Sequence, residues 1–109
     1  MVIKEPPTLD RVFQALANPS RRAILRMLTN GEQNISSLAE PLRMSFEGAS
    51  KHVRVLEQAG LVARRVRGRV HLVRIQPKAL VQANEWLEFY TRFWNQQMDA
   101  LEAMFDEEQ

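Results

Sequence analysis

Apolar residues recur at helical spacing through the first part of the chain. The first apolar stripe consists of Leu9, Val12, Phe13 and Leu16, which follow the i, i+3, i+4, i+7 pattern of a helix with one buried face. Thr8, directly before it, is the expected cap of this helix. Asn18-Pro19 closes this helix and opens a second one that runs to about Leu28, because Asn caps helices well and Pro suits the first helical position. Asn30-Gly31 ends the second helix.

The next segment predicts a short helix followed by a longer one. The short helix starts at Ser36 or Ser37 and reaches Leu42. Ser45 caps the longer helix, which extends from Phe46 to Ala59 and turns apolar residues inward at Ala49, Val53 and Leu56. The opposite face of this helix is polar and suits either solvent or a partner.

The hydrophobic period changes after residue 60. Residues 61–67 and 70–75 are rich in Val and Ile, and Gly68-Arg69 separates them. This pattern predicts a β-hairpin with Gly at the first turn position. His71 is expected to be a surface residue of the second strand.

A long helix is predicted after Pro77, from about Ala79 to Met104. Its apolar residues follow heptad steps, and the segment around it holds six of the eight aromatic residues of the chain, at Trp86, Phe89, Tyr90, Phe93, Trp94 and Phe105. This is more apolar surface than a terminal helix of a small domain needs. We therefore expect a homodimer seam that this helix forms together with the first one, at Leu9, Val12, Phe13, Leu16, Leu87, Tyr90, Trp94 and Leu101.

The chain has 109 residues, of which 45% are hydrophobic and 26% are charged, as is typical of a chain that folds around one core. We expect one domain over residues 1–109, with a flexible start at 1–7 and a C-terminal dimerisation helix at 79–104. The lack of cysteine excludes disulfides, thiolate metal ligands and cysteine nucleophiles. No apolar run is long enough for a signal peptide or a membrane span, so we expect a cytoplasmic protein with no membrane partner.

Charge is distributed unevenly, although the formal net charge is only +2. Residues 1–45 carry six basic and four acidic side chains, for +2, whereas residues 46–78 carry eight basic and two acidic ones, for +6. Residues 79–109 carry one basic and seven acidic side chains, for −6. The middle segment is therefore a candidate for phosphate contact, while the acidic end would repel DNA.

Four helices, a hairpin and a long helix in this order predict a mainly helical α+β fold, the winged helix-turn-helix. The major groove of DNA admits one helix whose N-terminal side chains reach base edges, and an adjacent hairpin can reach a neighbouring minor groove or its phosphates. The candidates for contact with double-stranded DNA are Ser45, Glu47, Ser50, Lys51, His52 and Arg54 of the fourth helix, and Arg65, Arg67 and Arg69 at the hairpin tip.

Four stretches of the sequence resemble the arsenic-repressor (ArsR) family of bacterial winged-helix regulators, and the likeness extends from about Leu9 to Met104. They are residues 16–25, 38–39, 50–62 and 67–69, which read LANPSRRAIL, LA, SKHVRVLEQAGLV and RGR. Members of this family are homodimeric repressors that bind operator DNA. The resemblance implies a homodimer that binds an inverted-repeat operator.

One departure from the family pattern concerns metal sensing. The metal-sensing branch carries two cysteines in a string of the type ELCVCDLA, and residues 32–39 read EQNISSLA in its place. Asn34 and Ser36 stand where the thiolates would be, and neither binds a soft metal usefully. We therefore expect no metal site and no cofactor. The signal that regulates the protein is then a small organic ligand or a partner protein, or the protein has no effector.

Two other interpretations compete with DNA-binding regulation. A winged-helix adaptor would bind protein, with incidental DNA affinity, and a shallow salt dependence of DNA binding would favour it. An enzyme is not expected, because Ser50 and His52 lie two residues apart on a helix and point in different directions. His52 then packs at the edge of the helix-turn-helix or contacts the DNA backbone. Arg21 and Arg22 are expected to contact phosphate or an acidic side chain such as Glu40.

Overall fold

The computed structural model describes residues 9–107, which form five helices and three strands. The helices are α1 (Leu9–Leu16), α2 (Pro19–Leu28), α3 (Ile35–Ala39), α4 (Phe46–Gln58) and α5 (Pro77–Glu107). The strands are β1 (Gln33–Asn34), β2 (Val62–Arg67) and β3 (Val70–Ile75). The predicted helices and hairpin are confirmed with small shifts in their bounds. The expected cap at Thr8 and the segment 1–7 lie outside the described residues.

The hairpin belongs to a three-stranded antiparallel sheet in which β3 lies between β1 and β2. Gly68 begins the two-residue turn of the hairpin with a φ of +64°, a left-handed conformation that favours glycine. β1 joins the other edge, where Gln33 pairs with Val73. The sequence pattern missed β1, because two residues are too few to show an alternation.

The apolar stripes of the helices meet in one core. The residues predicted to point inward from α2 and α4 are buried, namely Ile24, Leu25, Leu28, Ala49, Val53 and Leu56. α3 adds Leu38, the sheet adds Val62 and Val73, and the first two turns of α5 add Ala79 and Ala83. Because α2, α3 and the sheet all pack against α4, the core fixes the direction of that helix and the side that it turns outward.

α3 begins and ends earlier than the sequence predicted. Its cap is Asn34, whose side-chain Oδ1 accepts the backbone N–H of Ser37 at 2.7 Å, so neither Ser36 nor Ser37 caps the helix. Asn is as strong a cap as Ser, and its extended backbone also pairs in β1. The helix ends at Ala39, and Leu42 lies in the turn that follows.

α5 also departs from its predicted bounds. It begins at Pro77, two residues before Ala79, because a proline at the first helical position loses no intrahelical hydrogen bond. It continues to Glu107, and the molecule is 67 Å long in its longest dimension as a result. From about residue 87 onward the helix extends beyond the rest of the fold and is exposed along all of its length.

Two arginines at the start of α2 bind the end of α1. Arg21 donates from Nε to the carbonyl oxygen of Ala15 at 2.7 Å and from Nη2 to that of Gln14 at 3.0 Å. Arg22 donates from Nη1 to the carbonyl oxygen of Leu16 at 2.8 Å. Carbonyls in the last turn of a helix lack intrahelical partners and carry partial negative charge. Both arginines therefore cap α1, and neither pairs with an acidic side chain in residues 9–107, which corrects that expectation. The expected contact with phosphate stays a prediction.

Candidate nucleic-acid interface

A tight turn joins α3 to α4. The backbone N–H of Met44 reaches back to the carbonyl oxygen of Ala39 at 3.3 Å, and that of Arg43 reaches the carbonyl oxygen of Glu40 at 3.1 Å. Arg43 lies in the left-handed region with a φ of +52°, which costs a residue with a Cβ about 1 kcal/mol. These contacts give the two helices the short connection of a helix-turn-helix.

The first turn of α4 is held by its cap. The Oγ of Ser45 accepts the backbone N–H of Gly48 at 3.0 Å, and the hydroxyl hydrogen stays free to donate to an acceptor such as a phosphate oxygen. A Cβ at position 48 would lie 3.3 Å from this Oγ, so the glycine lets the cap sit close to the helix. Glu47 lies in the first turn, where the helix dipole stabilises a negative charge.

The outward side of α4 brings together four of the candidate residues, with Phe46 beside them. A shallow depression of about 220 Å³ is lined by Phe46, Glu47, Ser50, Lys51 and Arg54. Lys51 and Arg54 are exposed, and neither forms an ion pair with any residue in the range 9–107. The opposite side of the helix is fixed in the core by Ala49, Val53 and Leu56. These polar side chains are therefore positioned by a rigid helix and are available to a ligand.

His52 does not share this outward face. It is half-buried between α4 and α2, where its Nδ1 lies 3.4 Å from Nη1 of Arg21. Loss of water around the ring lowers the pKa of His52 below its usual value of 6.5, and the charge of Arg21 lowers it further. Of the two roles expected from the sequence, this position matches packing at the edge of the helix-turn-helix.

The depressed pKa of His52 predicts a pH dependence of stability. The unfolded chain takes up the proton at about the usual pKa, whereas the folded chain resists it, so the free energy of unfolding decreases as pH falls through and below about 6.5. His52→Gln, which keeps an acceptor for Arg21, is expected to flatten this decrease. Urea unfolding at a series of pH values measures both. If the free energy of unfolding depends on pH in the same way for both proteins, His52 does not contribute to this pH dependence.

The tip of the wing, which we define as β2, β3 and their turn, carries two free arginines. Arg67 ends β2 and Arg69 lies in the turn, and both are exposed. Neither side chain forms a hydrogen bond or an ion pair with any residue that the structure describes. They are therefore available to phosphate or to a groove, as the sequence predicts for the hairpin tip.

Arg65 lies elsewhere on the wing and has a partner. It pairs with Leu72 of β3, two residue pairs before the closing pair of Arg67 and Val70. Its guanidinium binds the carboxylate of Glu32 through two hydrogen bonds. The expectation that Arg65 belongs to the tip is therefore corrected, because the strand continues for two residues beyond it.

The other face of the wing packs toward the helices. Arg64 lies 3.7 Å from the carboxylate of Glu57 in α4, and the side chain of Arg64 is only 15% exposed. His71 is half-buried, with its ring 6.2 Å from that of Phe46 at the start of α4. His71 is thus no ordinary surface residue, since this face of β3 is turned toward α4. The imperfect alternation of the sequence did not reveal which face that would be.

The candidate dimer residues fall into three groups. Leu9 and Val12 are buried within this chain's own core, which leaves almost none of their surface for a partner. Phe13 and Leu16 are half-buried, and the ring of Phe13 packs edge-on against Trp86 of α5 at 5.6 Å. The remaining four are largely exposed on α5, namely Leu87, Tyr90, Trp94 and Leu101. Sequence reasoning cannot separate the first group from the third, because both follow the same apolar spacing.

Helix α5 exposes further large apolar residues beyond those four. Phe89, Phe93, Met98, Met104 and Phe105 are each at least 46% exposed. Together with Trp94 and Leu101 they cover about half of the circumference of the helix, as follows from a rotation of about 100° per residue. A continuous apolar surface of this extent is typical of an interface.

In residues 9–107, no helix has the combination of length and apolar character needed to cross a membrane. Within the same range, no three acidic or histidine side chains gather where they could hold a metal ion. Asn34, which stands at one cysteine position of the metal-sensing pattern, is engaged as the cap of α3. Its side-chain oxygen is therefore already used by the fold.

Comparison with known proteins gives consistent matches. A family described as a helix-turn-helix domain matches residues 16–65. The HTH-type transcriptional regulator Rv2034 of Mycobacterium tuberculosis is 33% identical over 99 residues, which cover 91% of this chain and 90% of the relative. The transcriptional repressor SdpR of Bacillus subtilis is 27% identical over 79 residues, which cover 72% of this chain and 88% of the relative.

Solved structures agree with these relatives. The ArsR family transcriptional regulator RHA00566 has a TM-score of 0.78 and 33% identity, over 86% of this chain and 97% of that one. A homodimeric winged helix-turn-helix DNA-binding domain, Mb0332 of Mycobacterium bovis, has a TM-score of 0.62 and 30% identity, over 79% of this chain and 82% of that one. The chain therefore belongs to the ArsR family of winged helix-turn-helix transcriptional regulators, which is a non-enzymatic class.

Proposed function

We propose that this protein is a homodimeric repressor that binds an inverted-repeat operator in double-stranded DNA. The proposal rests on the outward face of α4, where Lys51 and Arg54 are exposed and Ser50 is partly exposed, on a helix that the core holds rigid. A helix presented in this way fits the major groove, where Arg and Lys donate to guanine and Ser to any base edge. The free arginines at the wing tip add contacts to phosphates or to a neighbouring minor groove.

The dimer is supported by the exposed apolar face of α5. A monomer would leave eight large apolar side chains exposed to water along the last 20 residues of the helix, at Phe89, Tyr90, Phe93, Trp94, Met98, Leu101, Met104 and Phe105. A two-fold axis that pairs this face with its copy would cover it and would place two α4 helices on one side of the DNA. Mb0332, whose fold this chain shares, is itself described as homodimeric.

Metal sensing through the cysteine pair of the family is not part of the proposal. Asn34 and Ser36 supply amide and hydroxyl groups where thiolates would be needed. The effector is therefore a small organic ligand or a partner protein, or the protein represses according to its own concentration alone.

The test is selection of random duplexes by the purified protein at physiological salt, followed by alignment of the enriched sequences. We expect an inverted repeat whose half-sites are centred about one helical turn apart, since the symmetry of a dimer is mirrored in its site. Enrichment of a single half-site would contradict the dimer. Absence of binding, or binding with a shallow salt dependence, would favour the protein-binding adaptor instead.

With the operator in hand, two arginine variants separate base contact from phosphate contact. Arg54→Ala is expected to cost about 1–3 kcal/mol of binding free energy and to relax the preference at one base position. Arg67→Ala is expected to weaken binding to all sequences alike and to lower the salt slope by about one. Fluorescence anisotropy on operator and scrambled duplexes measures both. Equal losses on both duplexes for Arg54→Ala would refute its role in base recognition.

A further inference from the structure

The ion pair between Glu32 and Arg65 connects the wing to the body of the domain. Nε of Arg65 donates to Oε2 of Glu32 at 3.1 Å, and Nη2 donates to Oε1 at 2.7 Å, so the pair is bidentate. Glu32 directly precedes β1, whereas Arg65 lies in β2, and β3 separates the two strands. The pair therefore crosses the central strand and joins the two edges of the sheet.

The register places several charges on one face of the sheet. Successive residues of a strand alternate between faces, so Arg65 and Arg67 share a face, and Arg74 joins them because it pairs with Ala63. Hydrogen bonding from Arg65 lowers the pKa of Glu32 below its usual value, and the charges of Arg65 and Arg74 lower it further. Glu32 is therefore a carboxylate throughout the physiological range, with two arginines beside it.

The pair divides the cationic wing into two parts. Near the body of the domain, the guanidinium of Arg65 is held by a carboxylate in the fork-to-fork geometry that a phosphate would otherwise take. At the tip, Arg67 and Arg69 are exposed and without an ion-pair partner among the described residues. The side chain of Arg65 is still 55% exposed, so it would be accessible to DNA if the carboxylate released it.

We infer that Glu32 is a positioning residue for DNA binding, which holds Arg65 away from phosphate, so that the non-specific contacts near the wing tip fall to Arg67 and Arg69. The inference rests on the proposed function, since it assigns a role within that same interface. Non-specific affinity rises with every phosphate that a protein neutralises. By removing one cation from the wing, Glu32 lowers the affinity for random DNA while leaving the contacts of α4 unchanged, and it thereby raises the ratio of specific to non-specific binding.

The experiment measures the salt dependence of binding to operator and scrambled duplexes for a set of variants of the full chain. Glu32→Gln is expected to release Arg65, to tighten binding to scrambled DNA several-fold and to steepen the salt slope by about one. Arg65→Gln is expected to change the slope much less than Arg67→Gln, which lowers it by about one. The double variant Glu32→Gln/Arg65→Gln should return to the wild-type slope. Thermal melting of each variant checks that it is folded.

Two results would overturn the inference alone. If Arg65→Gln lowers the salt slope as much as Arg67→Gln does, then Arg65 leaves Glu32 and binds phosphate in the complex. If NMR titration shows the same pKa for Glu32 in the wild type and in Arg65→Gln, the pair does not exist in solution. An Arg67→Gln variant without effect on the slope also overturns the inference, because the wing then contacts no phosphate. By contrast, a wild-type protein that binds no DNA overturns the proposed function and the inference with it.

Discussion

A chain that carries Trp94→Glu together with Leu101→Glu is expected to be a folded monomer that no longer binds the operator. Both side chains are exposed on α5, Trp94 by 64% and Leu101 by 47%, so neither supports the fold of a single chain. In a two-fold dimer each substitution occurs twice, which would bury four carboxylates without partners. Since each costs several kcal/mol, dimer affinity should fall by more than about 1,000-fold. Sedimentation at micromolar concentration measures the mass directly.

The same helix offers a matched control. Arg92 and Ala103 each lie nine residues from one of the two substituted positions, which is two and a half turns and therefore the opposite side of α5. Arg92→Gln together with Ala103→Glu changes the net charge by the same amount, −2, and should leave the dimer intact. A dimer in the test variant, or a monomer in the control, would place the interface on another surface.

Local signals in the sequence predicted the elements of this fold well. Asn18 caps α2 by accepting the backbone N–H of Arg21 at 3.1 Å, as the Asn-Pro pair indicates, and Ser45 caps α4 in the same manner. Such caps depend on residues three positions apart, so they can be read directly from the chain. Gly68 occupies the turn position predicted for it for the same reason.

Contacts between distant segments were not predictable in this way. Arg65 and Glu32 are 33 residues apart, and Arg21 and His52 are 31 apart, so no periodicity links them. The burial of Leu9 and Val12 likewise depends on how α1 meets α4 and α5, not on its own apolar spacing. The residues of the candidate interface were thus found from the sequence, but their division into exposed, paired and buried ones required the structure.

Arg21 shows how such distant contacts hold α4 in place. Its backbone takes part in the cap of α2, its Nε and Nη2 satisfy two carbonyls of α1, and its Nη1 faces His52 on α4. This one residue of α2 therefore links α1 and α4, and α4 is the helix that carries the proposed DNA-binding side chains. Lysine has a single ammonium group and cannot occupy these positions together.

Arg21→Ala is therefore expected to lower the free energy of unfolding by about 2–3 kcal/mol. Each hydrogen bond from a charged donor contributes about 1.5–3 kcal/mol, and the variant loses two of them. Water replaces part of this loss at the carbonyl of Gln14, which is the more exposed of the two. For a domain of this size the melting temperature should fall by about 10 °C or more. Arg22→Ala, which removes one exposed hydrogen bond, should cost clearly less. Arg26→Ala, on the exposed side of the same helix, serves as the control and should stay within about 1 kcal/mol of the wild type. If urea unfolding gives the same free energy for Arg21→Ala as for Arg26→Ala, the arginine does not cap α1, and the direction of α4 depends on the core alone.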